Sequence, residues 1–170
     1  MLSEDGVVAT KTGWGYHLAT GGSPMTEGRH YWEVEFGHGD SFVGAVRPGL
    51  DHDKDHANGN DAYFIWGYDG SLWGNGKSNA DTQGQRFAAG DRIGVLLDLD
   101  AGWLRIYRNG KRCGPGYIEG VTGPLVRAAQ LVCAGDKVTV LPGAVAPEGA
   151  GEEGVYYDAQ SSLAQLKGAC

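Results

Sequence analysis

Between Asp51 and Asp61 the chain reads Asp-His-Asp-Lys-Asp-His-Ala-Asn-Gly-Asn-Asp, an alternation of carboxylate and imidazole donors of the kind that holds metal ions. A calcium loop needs oxygen ligands at alternate positions, a glycine at the sixth and a bidentate glutamate at the twelfth. Counted from Asp51, the sixth residue is His56 and the twelfth is Ala62, so the register fails. No spacing fixes His52 and His56 about a zinc ion either, and the stretch reads as a polar surface loop. Nucleophilic catalysis needs Ser, Cys or Thr beside a positioned base. Cys113 has no histidine near it in sequence and no Gly-x-Ser-x-Gly elbow, while Cys133 ends an apolar run and reads as a small hydrophobe. Glu33 and Glu35 share one strand face, as solvent-facing residues of an antiparallel sheet do. The glycine-rich stretch from Gly67 to Gly76 lacks the Lys-Ser/Thr ending of a phosphate loop. The expectation is a non-catalytic chain with no cofactor and no resident metal.

Recognition chemistry is better represented. Proteins grip partners with aromatic and arginine anchors set among turn residues. Three places outside the core strands have that character: Arg47-Pro48, Tyr68 with Trp73, and Val132-Cys133-Ala134. Trp73 near Asp69 and Asn75 also gives the outline of a sugar platform, so a carbohydrate-binding domain is one alternative; a structural subunit of a larger assembly is another.

The rest of the composition narrows the field. Glycine supplies 30 of 170 residues without a Gly-X-Y period, against a usual share of roughly 7%. Glycine scattered between apolar runs is what many tight turns require, because it adopts positive φ without steric penalty. The formal net charge is −7, a sign that repels phosphate backbones and disfavours nucleic acid as ligand. The three cysteines, Cys113, Cys133 and Cys170, form no CxxC pair, so neither a disulfide framework nor a structural zinc site is indicated. A reducing intracellular setting, cytoplasmic or nuclear, fits that usage. No apolar stretch approaches the roughly 18 residues of a membrane span, and the N-terminus lacks the pattern of a secretory leader.

The elements that must position these residues are strands. In Tyr31-Trp32-Glu33-Val34-Glu35-Phe36, Trp32, Val34 and Phe36 face one way and the glutamates the other. Ser41 to Val46 reads as its neighbour, and Ala62 to Trp66 as a further strand. Arg92 to Leu99 sets Ile93, Val95, Leu97 and Leu99 on one face, and Trp103 to Arg108 follows. Asn109-Gly110 then supplies a type I′ hairpin signal. Pro124 to Cys133 and Lys137 to Leu141 complete the set. Strands at close spacing with Gly-rich turns predict an all-β sandwich. Residues 143 to 157 turn to Ala, Gly, Pro and Glu, the composition of an arm, and Asp158 to Leu166 offers one short helix capped by Asp158. Residues 1–142 are therefore expected to form the domain, and 143–170 an irregular or weakly helical C-terminal arm.

Four segments together resemble the SPRY domain, the core of the B30.2 module. They are Gly28-Arg29-His30-Tyr31-Trp32-Glu33-Val34 with Val43-Gly44; Ile65-Trp66-Gly67-Tyr68-Asp69-Gly70; Gly90-Asp91-Arg92-Ile93-Gly94-Val95-Leu96-Leu97-Asp98 running on to Leu104-Arg105-Ile106-Tyr107-Arg108-Asn109-Gly110; and Gly123-Pro124-Leu125-Val126-Arg127-Ala128, closed by Val138 to Leu141. The resemblance implies two antiparallel sheets packed as a bent, concanavalin-like sandwich. It also implies a protein- or peptide-binding module, an adaptor or complex subunit, that uses loops at one end. On that reading the loop carrying His52 joins the contact, and Arg47, Pro48, Tyr68, Trp73, Val132, Cys133 and Ala134 match regions with which SPRY proteins bearing SOCS boxes hold an Asn-containing peptide. Those proteins carry Trp-Gly where this chain has Cys133-Ala134. The motif residues themselves read as folding residues: Trp32, Val34 and Phe36 as core, Gly94 as a point of close approach, Asp91 as an acceptor for turn N–H groups.

Overall fold

The computed structural model describes residues 1–3, 7–80 and 86–153; the helix expected over 158–166 lies outside them. Among the described residues the strands divide into two six-stranded sheets. Sheet A runs β1 (Val8–Thr10), β12 (Lys137–Leu141), β3 (Arg29–His38), β8 (Arg92–Asp98), β9 (Trp103–Arg108) and β10 (Lys111–Arg112). Sheet B runs β2 (His17–Met25), β11 (Leu125–Leu131), β4 (Phe42–Val46), β5 (Ala62–Trp66), β6 (Leu72–Gly74) and β7 (Lys77–Ala80). All pairings are antiparallel. The architecture is the bent, two-layer concanavalin-like sandwich that the sequence leads one to expect.

The period of two decides which side chains enter the core. Trp32, Val34 and Phe36 of β3, Ile93, Val95 and Leu97 of β8, and Leu104 and Ile106 of β9 point inward. They meet Val43, Ala45, Tyr63, Ile65, Leu72, Leu125, Ala129 and Leu131 from sheet B. Each large side chain fully buried in this layer contributes about 1.5–3 kcal/mol relative to exposure. Glu35 is exposed as expected, whereas Glu33 is only 8% accessible, covered by Tyr31, whose hydroxyl donates to it at 2.6 Å.

One adjacency differs from the sequence expectation. Ser41–Val46 does not lie beside the Tyr31–Phe36 strand: β4 sits in the middle of sheet B, and β3 pairs with β8 and β12. The reason is burial, since all five residues of β4 are buried and so need cover on both faces. The chain crosses between the sheets at Gly39, whose φ is +96° and whose missing Cβ would fall 1.5 Å from Asp136 Oδ1. No side chain fits there. Strands β1, β2, β6, β7 and β10 were not legible as strands; β2 carries Gly21, Gly22 and Pro24, poor strand formers that tertiary pairing with β11 overrides. At the β9–β10 hairpin Asn109 and Gly110 adopt φ of 51° and 81°, as a type I′ turn requires.

Candidate partner-binding surface

Sheet B is apolar on both faces. Its outer face carries Leu18, Phe42, Val46, Ala62, Phe64, Val126 and Ala128, all buried, with Leu50, Trp66, Trp73 and Val132 packed against them. Part of the cover comes from the loop between β4 and β5. His52 accepts Leu18 N–H on its carbonyl at 2.8 Å, and its Nδ1 donates back to Leu18 O at 2.6 Å. His56 Nε2 donates to Asp51 O at 2.7 Å. Carbonyl oxygens only accept, so His52 Nδ1 and His56 Nε2 are the protonated nitrogens of their rings. Gln130, wholly buried, accepts His56 N–H at 2.7 Å and donates to Asp55 Oδ1 at 2.9 Å. The stretch read as a polar surface loop is thus exposed from Asp51 to Lys54 and tied to the sheet at Asp55–Ala57. Among the described residues no three His, Cys, Asp or Glu are placed to hold a metal ion.

Beyond that cover the aromatic face reaches solvent as a ladder. The Trp66 ring stacks on Phe42 at 5.5 Å and 7°, and on its other side against Tyr68 at 5.0 Å and 30°. Trp73 meets Trp66 edge-on at 5.6 Å and Phe42 at 6.0 Å. The Arg86 guanidinium lies 4.9 Å over Tyr68 and bonds Asp40 Oδ1 at 3.1 Å. Tyr68 remains 47% exposed. The indole N–H groups are satisfied within the surface, Trp66 by Asp40 O at 2.7 Å and Trp73 by Ser71 Oγ at 2.8 Å. Asp69 Oδ1 is occupied by Ser71, accepting its N–H at 2.9 Å and its hydroxyl at 2.5 Å. Such rings present large contact area with little rotamer entropy left to lose on binding.

A buried carboxylate fixes the neighbouring loops. Asp136 Oδ2 accepts the N–H groups of Val132 at 2.8 Å and Cys133 at 2.9 Å, and Oδ1 accepts Asp40 N–H at 3.2 Å. The Val132-Cys133-Ala134 turn and the Asp40 turn that holds Trp66 are therefore locked to each other. Burial, aided by the Asp136 and Asp40 charges, pushes the Cys133 thiol above its ordinary range, the opposite of what a nucleophile needs.

The structure divides the residues singled out in the sequence. Tyr68, Trp73 and Val132-Cys133-Ala134 gather around the Phe42 end of β4, where Phe42 pairs with Trp66 on one side and Gln130 on the other. Arg47 and Pro48 stand at the Val46 end, roughly 13 Å away along the strand. There the Arg47 guanidinium donates to Thr122 O, to Thr122 Oγ1 at 2.8 Å and to Pro124 O at 3.4 Å, and lies 5.9 Å over Tyr63. Pro48 is exposed, and His52 lies over β2 at Leu18, which is in register with Gln130 and so with the Phe42 end of β4. Sequence reasoning missed Phe42, Trp66, Arg86, Asp40 and Asp136. The continuous apolar runs Phe42–Val46 and Ala62–Trp66 were the available sign of a second apolar face; nothing local marked Arg86 or Asp136.

Comparisons with known proteins agree with this geometry. The family model described as SPRY domain matches residues 29–144, more than half of the chain. The SPRY domain of human HERC1 superposes with a TM-score of 0.71 at 23% identity, covering 85% of this chain and 93% of that one. A second human SPRY domain gives a TM-score of 0.67 at 21% identity, covering 85% and 96%. At that identity the likeness to the solved structures is one of fold. Among the described residues no helix is long and apolar enough to cross a membrane.

Proposed function

Because this chain belongs to the SPRY domain family, whose members generally serve as protein-interaction modules, we propose that it is a non-catalytic adaptor or complex subunit that holds a partner's short peptide segment on the outer face of sheet B. The observation that carries this reading is the Phe42–Trp66–Tyr68–Arg86 ladder, rigid at its base and open at its tip. Tyr68, Trp73, Val132, Cys133 and Ala134 line the contact together with Trp66 and Arg86. His52 and Arg47-Pro48 stand where a longer segment continues across the sheet. A segment with an apolar or aromatic residue for the Tyr68–Trp73 side and an acidic residue for Arg86 suits this chemistry.

The test is affinity purification from native lysate, comparing the wild-type chain with a Tyr68→Ala/Arg86→Ala double variant. Hot-spot anchors of this kind contribute at least about 2 kcal/mol each, so recovery of the specific partners falls well over tenfold. Equal recovery removes this surface from consideration.

A further inference from the structure

On the opposite side of the sandwich, the outer face of sheet A is partly covered by the chain's own residues 149–153. Gly151, with φ of +86°, sits so close to the sheet that a Cβ there would be 3.2 Å from Leu96 and from Trp103. The next residue, Glu152, pairs with Arg29 at 2.6 Å. Glu153 then turns its carboxylate into a pocket, accepting Tyr107 Oη–H at 2.6 Å, Gly151 N–H at 2.7 Å and Arg105 Nη1 at 3.0 Å, with Arg112 Nη1 at 3.9 Å.

The pocket is held by the body of the domain. The side chains of Arg105 and Arg112 are only 17% and 12% exposed, and Tyr107 is 1% accessible. Arg105 lies 4.2 Å over the Trp103 ring, and Arg112 donates to Gly114 O and Pro115 O at 3.2 and 3.1 Å. Tyr107 packs edge-on against Tyr31 at 6.4 Å. Two guanidiniums and a phenol of the domain thus converge on one point, the donor set that binds a carboxylate, and the strap's own Gly151 N–H completes it. The occupant is held less firmly. Glu152 is 71% exposed, so its ion pair with Arg29 is weak and screened by salt, and Glu153 itself remains 34% exposed. Residues 143–151 before them include Gly143, Gly149 and Gly151, and their one large hydrophobic side chain, Val145, is exposed.

We propose that this pocket is a second recognition site, for an acidic side chain on a glycine-containing turn of a partner protein, and that Glu153 is its occupant in cis. The strap shows the form of the ligand: consecutive turns, closed by Ala150 N–H on Pro147 O at 2.9 Å and Glu152 N–H on Gly149 O at 3.1 Å, brought close to the sheet at a glycine and followed two residues later by a carboxylate. Charge complementarity selects the class, since the chain as a whole carries −7 and this is a local cationic exception. A tethered occupant competes at an effective concentration on the order of millimolar, so an external acid binds only by displacing it.

The experiment uses the full chain and, as probe, a synthetic peptide of residues 147–153, Pro-Glu-Gly-Ala-Gly-Glu-Glu. It is titrated into the wild-type chain and into Glu153→Gln, with binding read from the backbone and arginine side-chain NMR signals of Arg105 and Tyr107. The expected result is at least about tenfold tighter binding to Glu153→Gln, removal of the tethered competitor being the cause. The same peptide ending in Gln binds neither protein, and added salt weakens the complex. Equal binding to both proteins, or no discrimination between the two peptides, overturns the proposal. Should Glu153→Gln fail to fold, the wild type is titrated to several times the effective concentration of the tether, again on the order of millimolar; unmoved Arg105 and Tyr107 signals overturn it there. Tyr68→Ala leaves this binding unchanged, so failure here is distinguishable from failure of the aromatic surface.

Discussion

Two residues show how much rests on single atoms. Gly94 faces the Tyr31 ring, and a Cβ at that position would fall 2.3 Å from the Tyr31 hydroxyl; the close approach expected at this glycine is made by a side chain of the same sheet. Asp136 is wholly buried and accepts the N–H groups of Val132, Cys133 and Asp40. Removing it leaves those buried donors without a partner, which costs more than the net value of the bonds. Asp136→Ala is expected to lower stability by about 2–4 kcal/mol, measured by urea unfolding. Asp136→Asn, which keeps one acceptor oxygen, is expected to lose less. Equal losses for both would mean that the second acceptor oxygen or the negative charge, which neither variant keeps, holds the two turns.

At the scale of elements, the β4–β5 loop illustrates how a polar segment becomes part of a surface. Its composition is that of a solvated loop, yet Gln130 reaches it from β11 with both ends of its amide. Gln130→Leu, close in size, is expected to leave the His56 N–H unpaired and to take one donor from the Asp55 carboxylate, which keeps Ala57 N–H and Asn58 Nδ2, and to cost about 1–3 kcal/mol. Hydrogen exchange gives the sharper measurement: residues 52–58 lose protection while β4 and β11 keep theirs. Uniform loss across the sheet would show that Gln130 supports the core rather than the loop. The β9–β10 hairpin is tied similarly, with Asp91 accepting Ala88 N–H at 2.7 Å, Arg108 Nη2 at 2.6 Å and Asn109 Nδ2 at 2.9 Å. Of that network the sequence indicated the turn and the capping role of Asp91, and not the arginine from the facing strand.

For the whole molecule the ionisable groups frame a stability window. Burial opposes ionisation of Asp91, Asp98 and Glu153, but hydrogen bonds and neighbouring arginines outweigh it and hold all three below the usual carboxylate range. Their folded-state pKa values are depressed, so their stabilisation is present above the unfolded value of about 4 and is lost as pH falls through the folded ones. On the alkaline side burial, then a carboxylate neighbour, pushes Tyr31 upward and Tyr107 up to about 12. These phenols stabilise the fold fully below their unfolded value of about 10, and that contribution disappears as pH rises toward 12. The expected Tm profile is flat between those limits and falls at both ends. Asp98→Asn flattens the acid limb; an unchanged limb would mean that Asp98 is not held low in the fold.

Read alone, the residues already settled the class of fold. Period-two apolar runs can bury one face only as strands, and Asn109-Gly110 can turn only as a hairpin, so both are written in neighbouring positions. The role of the motif residues as core was legible for the same reason. What tertiary structure decided is which strands lie together, and with it the second apolar face, the ladder of Phe42, Trp66 and Tyr68, and the separation of Arg47 from it. Asp40 and Asp136 are 96 positions apart and Arg105 and Glu153 are 48 apart. Contacts over such separations follow from strand order and register, which no local pattern encodes.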